Sequence, residues 1–502
     1  MAHEKPSTFA LLAILLVAFA LRLAPWGQNR FLEDEALYSY WGLQIATGAD
    51  PMLDLEPVDK PPLFPYTLAL AFLASGTATG GLRAEAVARL PSLLASLAGV
   101  ALIYSLGYSL YQDRRVGILA AALLALSPFD LLFASTAFTD PLLVGLVLAA
   151  LLLATRGHLA SAGMLAGLAA ATKQQALFYL PLIIALGAIS PTSPPKVPTR
   201  SVLARALASG WPAFSLAFVL IAAGALWWDA ARIQRPGFLE QSLISYGRLG
   251  WTQPRPWVQH AVDWLRLVGD FWASPWFNTL WAGLTITWLI GWACGWAGPW
   301  TRIDLLLVAF LAYFLLLHWL VGFRVWDRYL LGLVPLASLL AARAFARLGE
   351  ALRHPAWRRA YALAVPLALA VTLAAPVLGA AHSGLPLGGD HGAYDGIDRL
   401  SGFVQRQVPP GSVLYHHWLG YHYRFYLYGA PLRLHWYPDP ADLIHDATVY
   451  RREPRFIAFP SFRDGTPAQQ ALSEAEIALL PLHQTYRRDG TVSFRLYRLE
   501  GP

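Results

Sequence analysis

The 502-residue sequence carries little charge and almost no cysteine. Only 14% of its residues are charged and 56% are hydrophobic, whereas roughly a quarter of the residues of soluble domains are charged. The single cysteine, Cys294, excludes an intramolecular disulfide and does not indicate a redox compartment. The sequence also lacks glycine-rich phosphate loops of the P-loop or dinucleotide type. These absences argue against a soluble domain, a disulfide scaffold and a nucleotide-binding protein.

Long apolar runs predict a polytopic membrane protein instead. A membrane-crossing helix needs roughly 20 apolar residues, and several runs reach that length. The first run, Thr8–Ala24, contains Arg22 where a signal peptide would have its cleavage site, so we expect a retained anchor. The other candidate spans bring the total to about eleven: Leu90–Tyr111, Val116–Phe133, Pro141–Ala154, Leu159–Ala171, Ala176–Ile189, Leu207–Trp228, Phe277–Trp296, Leu305–Val321, Tyr329–Ala342 and Tyr361–Ala380.

The loops between the spans predict the orientation. The apolar segment Leu63–Thr79 is of borderline length, and we expect it to lie along the membrane. One side then receives short basic loops containing Arg114, Arg115, Arg156, Lys196, Arg200, Arg205, Arg302, Arg343, Arg347, Arg353, Arg358 and Arg359. The positive-inside rule assigns that side to the cytoplasm. We therefore expect a protein of the cytoplasmic membrane with a cytoplasmic N-terminus, whose net charge of +7 reports orientation and not a nucleic-acid partner.

The same count predicts the domain organisation. Residues 1–380 form a transmembrane module with two large outer loops, 26–89 and 229–276, and residues 381–502 form an extracytoplasmic α/β domain. In that domain SVLYHHW, YRFYLYG, RFIAFP and VSFRLYRL have strand-like composition, and Ala468–Leu480 has helical spacing. Its histidines lack the compact spacing of a zinc site, so we interpret them as strand and surface residues: His416, His417, His422 and His435.

The first outer loop concentrates chemistry-bearing residues. Asp34 and Glu35 follow the first span, where they are either acids of a helix N-terminal turn, favoured by its dipole, or a general base for a hydroxyl nucleophile. Lys60 precedes Pro61 and Pro62, which stiffen the chain where it returns to the membrane. This lysine either binds a lipid phosphate as a point charge or only extends to the interface.

Other outer turns carry further acids and bases. Asp140 either caps the next helix or is a functional acid at the end of a span. Lys173 is either an interfacial anchor or a site residue. His260, in the second large loop, could join a carboxylate in binding a divalent metal, although a lone histidine is more often structural. One more outer cluster contains Arg324, Asp327, Arg328 and Tyr329.

Together these motifs resemble the GT-C glycosyltransferases. Asp34–Glu35, the acid-Lys-Pro-Pro run from Asp59 to Pro62, the TDP and TKQ hairpins and the start of RYLLGLVP are similar to glycosyltransferase family 39 protein mannosyltransferases and bacterial aminoarabinose transferases acting on lipid A. The resemblance covers roughly residues 7 to 380. It implies a mainly α fold with outer juxtamembrane helices, a polyprenyl-phosphate sugar donor, and a lipid, glycan or protein acceptor outside the cytoplasmic membrane.

The resemblance also implies roles for individual residues. Asp34 and Asp140 would be the acids of the site, with Glu35 beside them, and a divalent metal would be held by Asp59 and His260. Leu37 stands where aminoarabinose transferases have an arginine, so another cation would have to replace that phosphate contact. The residues expected at the donor phosphate are Lys60, Arg328, Tyr329, Lys173 and Arg30.

The interpretation is an inverting sugar transfer, and two alternatives stay open. A transporter or flippase of a lipid-linked sugar would place charges near the bilayer midplane, whereas here they cluster at outer helix ends. An outward-facing sensor built around the tail would leave the first-loop motifs unexplained.

Overall fold

The computed structural model describes residues 5–189, 210–233, 236–246, 257–294 and 302–501, and most of these residues are helical. The first half of the chain forms α1 Lys5–Leu23, α2 Glu33–Thr47, α3 Leu63–Ser75, α4 Leu82–Tyr111, α5 Arg114–Ala125, α6 Pro128–Ala134, α7 Thr139–Thr155, α8 Leu159–Thr172, a 3₁₀ helix Gln174–Tyr179 and α9 Leu180–Ile189. The next part forms α10 Trp211–Ala231, α11 Phe238–Tyr246, α12 Trp257–Gly269, α13 Pro275–Ala293, α14 Arg302–Leu320, a 3₁₀ helix Asp327–Leu330, α15 Leu333–Ala351 and α16 Pro355–Ala381.

Within the described residues, four helices are long and apolar enough to cross a membrane: α4, α10, α14 and α16. The bent pair α5 and α6 would make a fifth. Four of the other predicted spans correspond to apolar helices of 10–17 residues, so the count of about eleven stays a prediction. The segment expected to lie along the membrane forms α3, whose 13 residues extend about 20 Å, less than the hydrocarbon thickness.

The predicted span Val116–Phe133 is not one straight helix, because the chain bends by 61° between α5 and α6. Pro128 has no amide hydrogen to continue the first helix. Ser127 then starts the second helix, since its hydroxyl accepts from the Asp130 amide at 3.3 Å. Both signals are present in the sequence at the break.

Close packing of α8 against α10 depends on two glycines spaced four residues apart. A Cβ at Gly163 would lie 2.1 Å from the Phe214 carbonyl oxygen, and one at Gly167 would lie 2.8 Å from Ile221 Cβ. Small residues at this spacing let two backbones approach within a membrane, where packing replaces hydrophobic burial as the source of association.

Residues after Ala381 form the small α/β domain that the sequence predicts. Its helices are α17 Ile397–Gln407, α18 Gly420–Tyr426, α19 Pro440–Val449 and α20 Thr466–Glu474. Its strands are β1 Val413–His416, β2 Arg433–Trp436, β3 Arg455–Pro460, β4 Ala478–Tyr486 and β5 Val492–Glu500. The sheet order is β2-β1-β3-β5-β4, with β2, β1 and β3 parallel and β5 antiparallel to both β3 and β4.

Two details of the predicted tail are wrong. The segment YRFYLYG belongs largely to α18 and not to a strand, because its buried aromatic residues follow a helical repeat against the first loop. The helix expected over Ala468–Leu480 ends at Glu474, and Glu476 adopts a positive φ of 60° before β4 begins. The first error arises because the strand preference of aromatic residues depends strongly on what they pack against.

The short helix α18 attaches the C-terminal domain to the first loop. Tyr426 donates from its hydroxyl to Glu85 at 2.6 Å, and the Arg424 guanidinium lies 3.2 Å from the Glu56 carboxylate. The two backbones also touch, since a Cβ at Gly80 would lie 1.7 Å from the Phe425 carbonyl oxygen. The domain and the first loop therefore share one side of the molecule.

Candidate active site

The first turn of α2 directs three consecutive acids to three different neighbours. Successive residues of a helix point about 100° apart. The Glu33 carboxylate accepts from the Tyr394 hydroxyl of the C-terminal domain. Asp34 pairs with Arg328, and Glu35 points into the protein, where its side chain is 1% exposed. Three carboxylates that are adjacent in sequence therefore have separate environments.

Asp34 lies at the edge of the site beside a buried guanidinium. Its Oδ2 is 2.7 Å from Arg328 Nη2, and its side chain is 35% exposed while that of Arg328 is 7% exposed. The Arg328 guanidinium lies 4.7 Å from the ring centroids of both Phe138 and Trp326, which hold it in place by cation–π contact. Asp34 thus keeps access to an incoming group.

Asp140 and Lys173 form a second, fully buried pair. Lys173 Nζ lies 2.6 Å from Asp140 Oδ1, and the two side chains are 8% and 2% exposed. Asp140 is in the first turn of α7, while Lys173 lies in the turn between α8 and the following 3₁₀ helix. The Lys173 ammonium is also 4.5 Å from the ring centroid of Tyr329.

Lys60 and Asp59 form the third pair, at the end of the first loop. Lys60 Nζ lies 2.8 Å from Asp59 Oδ2, and its side chain is 3% exposed. The Asp59 carbonyl accepts from the Ser242 hydroxyl of α11 at 2.6 Å and from Gln174 Nε2 at 3.4 Å. Among the described residues, Asp59 Oδ1 is buried and has no hydrogen-bond partner.

The three pairs belong to one cluster. Lys173 experiences the positive charges of both Arg328 and Lys60 in addition to the negative charge of Asp140. Three buried cations from three separate turns therefore lie within electrostatic range of each other, a costly arrangement unless anions balance it. The carboxylates provide that balance here, and a bound phosphate could replace them at the cations.

Glu35 has a structural position, although it was expected among the catalytic acids. Its Oε2 accepts from the Leu32 amide at 2.9 Å, and its Oε1 accepts from the Ala137 amide at 2.7 Å. The first bond caps the start of α2, while the second ties α2 to the segment that leads into Asp140. Glu35 therefore fixes the relative position of Asp34 and Asp140.

The titration of Glu35 gives a pH-dependence prediction for stability. Burial raises the pKa of Glu35 from 4.5 to about 7, against the opposing effect of Arg89 and its amide bonds. Between those two values the folded chain keeps a proton that the unfolded chain has lost, so stability falls as the pH rises through this window, by about 3 kcal/mol in all. The melting temperature of the unmutated protein should fall more from about pH 5 to about pH 8 than that of Glu35→Gln, which cannot titrate. If the melting temperatures of the two proteins in lipid nanodiscs fell equally over this pH range, the prediction would be wrong.

The buried pair gives a second prediction. Lys173→Met leaves Asp140 as an unpaired buried charge and should cost about 3–5 kcal/mol of stability, as should Asp140→Leu. The double variant removes both charges and should recover most of that loss, because two apolar side chains of similar size replace the pair. Thermal unfolding of the three variants tests this expectation, and a double variant as unstable as the sum of the singles would show that the pair is not coupled.

Other predicted site residues lie apart from these pairs. The Arg30 guanidinium is 3.0 Å from the Glu85 carboxylate, and its amide donates to Asp390 at 3.0 Å, so it joins the first loop to the tail. His260 lies on α12, where its Nε2 accepts from Trp264 Nε1 at 3.3 Å. In the described part of the chain no three histidine, cysteine or carboxylate residues are placed to share a metal ion. Metal binding by Asp59 and His260 stays a sequence prediction.

Sequence reasoning missed the residues that support the cations. Phe138 and Trp326 contact Arg328, and Tyr38 lies 5.8 Å below Lys60 Nζ. Gln175 Nε2 donates to the Tyr329 carbonyl at 3.2 Å and lies 3.0 Å from His318 Nε2. Their only signal in the sequence is position, since several of them lie within a few residues of a predicted site residue.

Known proteins share part of this sequence and its overall fold. Residues 59–228 match the family model described as dolichyl-phosphate-mannose-protein mannosyltransferase. The structure is similar along almost its full length to ArnT from Cupriavidus metallidurans, solved bound to undecaprenyl phosphate (TM-score 0.63, 17% identity, 99% of this chain and 100% of that chain covered) and in the apo state (TM-score 0.66, 15% identity, the same coverage). The fold is that of the GT-C glycosyltransferases. The resemblance expected from the sequence is confirmed, and so is a location in a membrane.

A further GT-C structure shares the fold at lower similarity. This is the archaeal oligosaccharyltransferase AglB from Archaeoglobus fulgidus, solved in complex with an inhibitory peptide and a dolichol-phosphate, with TM-score 0.53, 13% identity, and 98% of this chain and 74% of that chain covered. No curated protein sequence matches this chain significantly. Lys60, Asp140 and Lys173 lie inside the segment that matches the mannosyltransferase family, whereas Asp34 and Arg328 lie outside it.

Proposed function

We propose that this chain is a membrane glycosyltransferase that moves a sugar from a polyprenyl-phosphate donor to an acceptor outside the cytoplasm, with inversion at the anomeric carbon. The observation that carries the proposal is the cluster of three buried cations, Lys60, Lys173 and Arg328, beside the partly exposed Asp34. The GT-C fold supports it, because proteins with that fold have been solved with undecaprenyl phosphate and with a dolichol-phosphate.

In the proposed reaction Asp34 takes the proton of an acceptor hydroxyl. The acceptor oxygen then bonds to the anomeric carbon while the bond from that carbon to the phosphate oxygen breaks. The electron pair leaves with the polyprenyl phosphate, and Lys60, Lys173 and Arg328 stabilise the added negative charge. Preorganised charges of this kind often supply several kcal/mol of barrier reduction. Asp140 holds the Lys173 ammonium, so we assign it a positioning role.

The helix directions support the orientation in the proposal. Asp140 is in the first turn of α7, and Arg156 caps the other end of the same helix about 26 Å away. Likewise α4 begins near Glu85, at the end of the first loop, and ends at Tyr111 shortly before Arg114. Arg156 and Arg114, which belong to two of the loops predicted to be cytoplasmic, therefore lie at the helix ends opposite Asp140 and Glu85.

The flippase alternative receives no support from the placement of these charges. Lys60 lies before α3, Lys173 lies after α8, and Arg328 lies in the 3₁₀ helix before α15. All three are at helix ends, whereas a transporter binds its substrate at broken helices near the bilayer midplane.

Donor consumption tests the proposal. Purified protein is incubated with radiolabelled polyprenyl-phosphate hexoses and pentoses and a membrane extract as the acceptor pool. The proposal predicts that label moves to a new product. Label that crosses liposomes intact, with no new product from any donor, would identify a transporter and overturn the proposal.

A further inference from the structure

A cavity of about 530 Å³ separates the first turn of α2 from the C-terminal domain. Its volume falls in the range of about 300–1,000 Å³ that is usual for small-molecule sites. Glu33 lines one wall, and residues of α18 and of the segments after β1 and β3 line the others. None of the residues of the cation cluster lines this cavity, so it is a separate site.

Aromatic rings form the opening of the cavity. Trp436 is 57% exposed and Tyr421 is 39% exposed. This exposure is unusual, because large aromatic side chains gain much free energy when they are buried. The Trp436 indole is nevertheless fixed, since its Nε1 donates to the His417 carbonyl at 2.9 Å. Trp418 lies beside them, with the Arg463 guanidinium 5.8 Å from its ring centroid. Fixed flat rings suit the apolar C–H face of a pyranose.

Polar groups form the inner part of the cavity. Behind these groups His422 is fully buried, and its Nε2 donates to the Phe31 carbonyl at 2.8 Å, so it supports the wall of the cavity and does not reach a ligand. Glu33 adds a carboxylate acceptor and Arg463 adds donors. Such a set matches the hydroxyl groups of a sugar.

The cavity adjoins the proposed transfer site. Glu33 and Asp34 are consecutive residues of the same helical turn. Tyr421, which lines the cavity, experiences the negative charges of both Asp34 and Asp59. A molecule in the cavity would therefore present a neighbouring hydroxyl close to Asp34.

We infer that this cavity binds a saccharide unit of the acceptor, so that the acceptor is a glycan or a glycolipid. The inference rests on the proposed transfer. The sequence leaves lipid, glycan and protein acceptors open, and the inference selects those that contain a saccharide. Trp418 and Trp436 bind the apolar face of the sugar ring, while Glu33 accepts from its hydroxyl groups and Arg463 donates to them.

A glycan microarray tests the inference with the full-length protein in detergent. The array carries oligosaccharides of hexoses, pentoses and hexosamines, together with a set of unglycosylated peptides. The unmutated protein should retain a subset of the glycans. Trp436→Ala should weaken that retention about tenfold or more, as the loss of a central aromatic contact does, while Trp436→Phe should restore most of it. Trp357→Ala, a change at a tryptophan on α16 that is even more exposed, should have no effect.

The outcomes separate this inference from the proposed function. Asp34→Asn should retain the same glycans while sugar transfer is lost, because Asp34 does not line the cavity. With active protein, Trp436→Ala should raise the acceptor KM more than it lowers kcat. No retained glycan, retention that Trp418→Ala and Trp436→Ala leave unchanged, or retention of peptides alone would overturn the inference. Glycan retention without any transfer would overturn the proposed function instead.

Discussion

Replacing Asp34 by asparagine should reduce sugar transfer by about 10²–10⁴-fold, the usual contribution of a general base. The asparagine has nearly the same shape but cannot take the acceptor proton. Donor binding should stay the same or become tighter, because the change removes the carboxylate that competes with the donor phosphate for Arg328. Single-turnover transfer and equilibrium binding of polyprenyl phosphate would measure the two effects separately.

A matched control for this variant is Asp442→Asn. Asp442 is also in the first turn of a helix, α19, but it is exposed and far along the chain from the cation cluster. That variant should keep full activity. If Asp34→Asn retained more than about a tenth of the transfer rate, Asp34 would not be the general base.

Replacing Arg328 by alanine should weaken donor binding by about 10–100-fold, since a hydrogen bond to a charged group contributes roughly 1.5–3 kcal/mol. Transfer should fall further than binding, because the guanidinium meets more negative charge on the departing phosphate than in the bound donor. Some stability should also be lost, because the buried guanidinium packs on Phe138 and Trp326, whereas Asp34 is 35% exposed and can be solvated. Donor titration and kcat measurements would give both quantities.

Two control variants test whether the effect on donor binding is specific to the Arg328 guanidinium. Arg324→Ala removes an exposed arginine four residues earlier and should have no effect on donor binding. Arg328→Lys keeps the charge but loses the flat guanidinium that contacts Phe138 and Trp326, so only partial recovery is expected. Full activity of Arg328→Ala would remove Arg328 from the site.

Much of this site could be predicted because the sequence constrains where its parts lie. Apolar spans alternate the side of each loop, so the turns that contain Asp34, Lys60, Asp140, Lys173 and Arg328 were expected at one membrane surface. The structure brings those side chains together. Which carboxylate pairs with which cation was not predictable, because Asp140 and Lys173 are 33 residues apart and meet only through helix packing.

The failures have local physical causes. Arg30 has the right charge and lies near Asp34 in the sequence, yet burial against Glu85 gives it a structural partner. The aromatic residues of YRFYLYG favour a strand by composition, but contact with the first loop stabilises α18. His422 was interpreted as a surface residue because its polarity suggests exposure, whereas the structure buries it between the domain and Phe31. In each case a tertiary contact overrides the local preference.

The most direct measurement is a cryo-EM structure of the full chain with undecaprenyl phosphate. The proposed mechanism predicts density for the phosphate within hydrogen-bond distance of Lys60, Lys173 and Arg328, with Asp34 released from Arg328. Density for the phosphate at the opposite ends of the helices, beside Arg343 and Arg347, would contradict the proposed donor site.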